Sequence, residues 1–70
     1  MILQAEMIGS DRFRIFGKLY SSVFPIDRLP GWIAFYDRMA KRHAKKRPDA
    51  AANYSGTADA LRAFQRRLAS

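Results

Sequence analysis

Cysteine is absent from this 70-residue chain, so neither a disulfide nor a thiolate metal site can staple it. With a single histidine, His43, a structural zinc has no ligand set. No apolar run approaches the ~18 residues that cross a bilayer. Met1-Ile2-Leu3 is interrupted by Gln4 and Glu6 and has no basic segment before it, unlike a secretory signal. A cytoplasmic protein is the expectation. There is no Walker loop, dinucleotide-binding glycine fingerprint, nucleophile elbow or histidine–glutamate metal motif. The six carboxylates are scattered singly, without a pair placed for acid–base work. The reading is therefore of a protein that is not an enzyme and uses no cofactor or metal.

Acid is also scarce in one half. Residues 1–37 carry four basic and four acidic side chains and sum to zero. Residues 38–70 carry nine basic side chains against Asp49 and Asp59, which gives the entire net charge of +7. Five of the nine fall within Lys41–Arg47, while seven of the nine aromatics lie between Phe13 and Tyr36. The chain divides into a neutral, aromatic-rich packing half and a basic half of one small domain, residues 1–70. A chain this short buries only about 60% of its unfolded surface. Without a staple it must rely on good packing, self-association or docking into a larger assembly.

Two zones punctuate the sequence. Pro25-Ile26-Asp27-Arg28-Leu29-Pro30-Gly31 excludes a continuous helix, and Pro48 to Gly56 forms the second break, since a residue before proline is pushed out of the α region. Between them Trp32, Phe35, Tyr36, Met39, Ala40 and His43 recur at helical spacing, which predicts a helix from Trp32 to Arg47. Asp37 and Lys41 add a favourable i, i+4 pair, and the basic cluster complements the negative end of the helix dipole. A second helix is predicted from Thr57 to Ala69, with a narrow stripe of Leu61, Phe64 and Leu68.

The N-terminal third fits two patterns. Phe13, Phe16, Tyr20, Val23 and Phe24 have helical spacing, yet Phe13, Ile15, Gly17 and Leu19 alternate with Arg12, Arg14 and Lys18 as in a half-buried strand. In the second reading Ile2 to Ile8 pairs with that strand across Gly9-Ser10-Asp11. The helical count is longer, so the expectation is a mainly α, three-helix domain. The alternative is an α+β fold, an N-terminal β-hairpin followed by two helices.

Function is read from the basic half. Arg38, Arg42 and Lys45 share a helical face, with Lys41, Lys46 and Arg47 flanking it, and Arg62, Arg66 and Arg67 lie off the apolar stripe of the last helix. Concentrated like charge destabilises a helix, and a polyanionic partner is what rewards it. The ordinary alternative is a solvated helix end that serves solubility. These nine cations are the candidate polyanion-binding residues, and an antiparallel packing of the last two helices would merge them into one surface. The resulting expectation is a small accessory protein whose basic helical surface contacts nucleic-acid phosphates, alone or in a nucleoprotein assembly.

Two other partners fit the composition. Trp32, Phe35 and Tyr36 are candidate protein-interface residues for an adaptor or inhibitor steered onto an acidic protein surface. An anionic membrane surface is the weaker third. His43 has no carboxylate or nucleophile at a useful spacing and reads as a helix-flank or core-edge histidine. A DNA-reading helix-turn-helix is disfavoured, because the expected connection from Arg47 to Thr57 exceeds the usual 3–4-residue turn. Gln65 is also the main base-reading amide on the last helix, so any contact is expected to be backbone-directed.

Overall fold

The computed structural model describes residues 2–69. Three strands, β1 (Gln4–Ile8), β2 (Arg12–Phe16) and β3 (Ser21–Pro25), form an antiparallel meander in the order β1-β2-β3. A 3-10 turn over Ile26–Arg28 leads into helix α1 (Leu29–His43), and α2 spans Pro48–Ala69. The fold is thus α+β. The expected N-terminal helix is replaced by the hairpin of the alternative reading, extended by a third strand.

The register shows why alternation prevails over helical spacing. Met7 pairs with Phe13 and Phe13 with Phe24, while Ala5 pairs with Ile15 and Ile15 with Ser22. Phe13 and Ile15 are both 0% exposed on the face covered by the helices. Arg12, Arg14 and Phe16 point the other way, because successive strand side chains alternate. A helix would have placed Phe16 and Val23 beside Phe13; in the sheet they occupy the opposite, solvent-facing side. Arg14 lies 4.7 Å above the Phe16 ring there and pairs with Glu6, its cross-strand neighbour. Gly9 opens the β1–β2 turn at φ +67°, a conformation that glycine adopts without steric cost.

The inner sheet face packs against Leu29, Ile33 and Tyr36 of α1 and Ala58, Leu61 and Phe64 of α2. Rings link the elements in series. Phe64 meets Phe13 at 6.1 Å, Phe13 meets Phe24 at 5.8 Å, and Phe24 meets Trp32 at 4.7 Å. From there Tyr36 and Tyr54 carry the series to His43, which stacks on Tyr54 at 5.5 Å as a core-edge histidine.

Both helices depart from their expected bounds. α1 begins at Leu29, with Pro30 in its first turn, and ends at His43 rather than Arg47. Proline suits a helix start, where its missing N–H would have no intrahelical partner. The same chemistry makes Pro48 the first residue of α2, so the expected break over Pro48–Gly56 is instead about two and a half turns of helix. Gly56 lies inside α2, where a Cβ would displace the end of the Ile2 side chain, whose Cδ1 is 2.5 Å from its place. One residue on, buried Thr57 accepts a hydrogen bond from the Leu3 N–H at 3.0 Å and donates to the Asn53 carbonyl at 2.9 Å. α2 thereby holds the chain leading into β1.

Candidate polyanion-binding surface

The link between α1 and α2 is Ala44–Arg47, four residues, not the longer connection expected. It stays tightly wound: the Arg47 N–H donates to the His43 carbonyl, and the Ala51 N–H to the Arg47 carbonyl, each at 2.9 Å. Ala40 and Ala44 on one side and Pro48, Ala51, Ala52 and Ser55 on the other line the notch between the helices. Small side chains there let the backbones approach. His43 meets Tyr54 near the link and Asp37 meets Arg62 farther from it, so the two helices run antiparallel as a helical hairpin.

The tip of this hairpin carries the basic heptapeptide. Lys41 and Arg42 come from the last turn of α1, and Lys45, Lys46 and Arg47 from the connection; all five are exposed. Together with His43 and Ala44 they surround a shallow depression of about 570 Å³. None of the five forms an ion pair with a described residue, whereas Arg12, Arg14 and Arg62 each face a carboxylate. Asp49, the acid nearest in sequence, sits in the first turn of α2, where it complements the positive end of that helix dipole. The cations of the tip complement the negative end of α1 in the same way. That benefit is a few tenths to ~1 kcal/mol and falls away within one turn, so it does not account for five of them.

Of the remaining expected cations, Arg38 is exposed on α1 one turn before the tip. Arg62 is committed within the fold: it pairs with Asp37 across the helices and with Asp59 at 3.4 Å along α2. Arg66 and Arg67 are exposed in the last turn of α2, which the antiparallel arrangement carries away from the tip. Eighteen residues separate Pro48 from Arg66, about 27 Å of helix at 1.5 Å per residue. The nine cations therefore form no single surface. Arg38 and the five tip residues are grouped, Arg62 is neutralised, and Arg66 and Arg67 lie at the opposite end.

The candidate interface aromatics also separate. Tyr36 is 7% exposed and belongs to the core. Burial, reinforced by Tyr20 and Tyr54, holds its hydroxyl pKa above the ordinary 10.0. Trp32 and Phe35 are half-buried and line a groove with Phe24, Pro25, Arg28 and Gly31. That groove was not foreseen from the sequence, because it forms between the end of β3 and the start of α1. The sequence signal for it was Trp32 next to Pro30-Gly31. Among the described residues no cluster of histidine and carboxylate groups is placed to hold a metal, and no helix is long and apolar enough to cross a membrane. No protein-family model, curated protein or solved structure matches the chain.

Proposed function

We propose that the protein is a small, non-enzymatic nucleic-acid-binding module of the cytoplasm that uses the tip of its helical hairpin to contact phosphates. The observation that carries this reading is the group of five exposed cations on the last turn of α1 and the connection after it, none ion-paired with a described residue. Four of the six carboxylates pair with Arg12, Arg14 and Arg62 in the body of the molecule, and Asp49, beside the tip, pairs with none of its five cations among the described residues. Phosphates reward that arrangement, because each neutralised contact releases condensed counterions. Phosphate contact also needs no base-reading side chains, and the tip offers none beyond its cations.

The test is a titration of the intact chain against nucleic acid at several salt concentrations. If the five tip cations each meet a phosphate on duplex DNA, log affinity falls against log salt with a slope of about −4.5. Changing Lys41, Arg42, Lys45 and Lys46 to Gln should flatten that slope to about −1 and weaken binding at low salt. No binding at low salt, or binding that ignores salt, defeats the proposal. Retention of an acidic protein with no retention of nucleic acid defeats it in favour of an adaptor that docks through Trp32 and Phe35.

A further inference from the structure

The groove at the start of α1 contains a glycine that the fold does not require. Gly31 sits in the first turn of α1, and unlike Gly9 it does not have a positive φ. A Cβ placed on Gly31 meets nothing within 4 Å, so close packing does not demand a glycine either. What the missing side chain does is leave the groove open. The groove is an open cleft of about 460 Å³, within the range of roughly 300–1,000 Å³ typical of ligand sites. Its walls are aromatic: the Phe24 and Trp32 rings lie 4.7 Å apart, with Phe35 edge-on to Trp32 at 5.4 Å. At its rim Arg28 is exposed and forms no ion pair with a described residue. Aromatic walls with a free guanidinium at the edge suit a planar ring that carries an anion.

The groove also continues into the basic surface. Gly31, Phe35, Arg38 and Arg42 follow one another at intervals of four, three and four residues, which places them on one stripe of α1. From Arg28 to Arg42 that stripe is about 21 Å long at 1.5 Å per residue. Stacking aromatics at one end and phosphate-binding cations along the rest are the two parts of a single-strand site. We infer that the groove takes an unpaired base of a single-stranded nucleic acid whose backbone then follows α1 to the tip. This deepens the nucleic-acid reading and rests on it. A duplex cannot use the groove without unstacking a base, at a cost of a few kcal/mol, so the groove confers a preference for single strands.

Trp32 is the only tryptophan in the chain, so it reports directly on the groove. The intact protein should be titrated at low salt with a short oligothymidylate and, separately, with a duplex of equal length. The single strand is expected to quench Trp32 fluorescence and to bind more tightly, while the duplex binds with little quenching. Gly31→Leu fills the groove and should weaken single-strand binding by about 5- to 150-fold, the loss expected for one stacked base. It should leave duplex affinity unchanged and should not lower the melting temperature, since leucine suits a helix better than glycine. Arg28→Gln, which cannot perturb the core, should weaken the single strand selectively but less.

Equal affinity for the two forms with no quenching overturns the groove inference alone. If neither form binds the unaltered protein, the nucleic-acid reading falls and the groove inference with it. Quenching by an acidic aromatic peptide but not by the oligonucleotide overturns the assignment of the groove to a base.

Discussion

The two ends of the helical hairpin treat charge in opposite ways. At the end clasped by the sheet, Leu29, Leu61 and Phe64 are buried, and Arg62 is held by Asp37 and Asp59. At the tip, five cations stand in solvent with no acid among the described residues against them. One helix, α1, joins the two regimes. Stability is concentrated where side chains are removed from water, and charge where its removal costs the core nothing. A protein this small has few buried residues to spare, and this division keeps mutual repulsion away from them.

The largest effect that would test this division is in the body. Leu61 is 0% exposed, and Leu61→Ala should cost about 2–5 kcal/mol, enough to unfold much of a marginally stable domain. Urea denaturation followed by circular dichroism measures it. Thr57→Val comes next, because it leaves the Leu3 N–H without an acceptor and should cost about 1–3 kcal/mol in the same assay.

A pH series sharpens the comparison further. The Tyr36 pKa is raised in the fold, so the folded state favours the neutral phenol. That contribution is fully present below the ordinary tyrosine value of 10.0 and is lost as pH rises through the raised one. The urea midpoint should therefore decline on the alkaline side, and Tyr36→Phe should decline less. The smallest effect is expected at the tip. Lys45→Gln with Lys46→Gln should change stability by no more than about 0.5 kcal/mol, in the stabilising direction, since like charges are being removed. A loss of several kcal/mol there would show that the tip contributes to the fold and would dissolve the division.

Much of this was readable from local pattern. The spacing from Trp32 to His43 identified α1, and Lys41–Arg47 identified the tip. Gly9-Ser10-Asp11 marked the hairpin turn that the α+β alternative used. The choice between helix and strand failed because Phe16 and Val23 are apolar yet face outward, so counting apolar residues lengthened a false helical stripe. The first half of α2 was not legible because Pro48, which ends whatever precedes it, also serves as the first residue of this helix. The loss of Arg62 to Asp37 and the burial of Tyr36 are tertiary facts with no local signature. Single residues showed their chemistry in the sequence, but their partners did not.

The hydrogen bond from Leu3 to Thr57 spans 54 residues and sets the order in which the molecule can be completed. During synthesis Leu3 and β1 are made before α2, so the Leu3 N–H waits for its acceptor. The β1–β2 hairpin can pair early, and α1 can wind as it emerges, but Leu3 at the entry to β1 stays unfastened until the middle of α2 is in place. The entry to β1 is thus secured later than the strand pairing that follows it. Until then the inner sheet face, with Phe13 and Ile15, is available to chaperones or to another nascent chain.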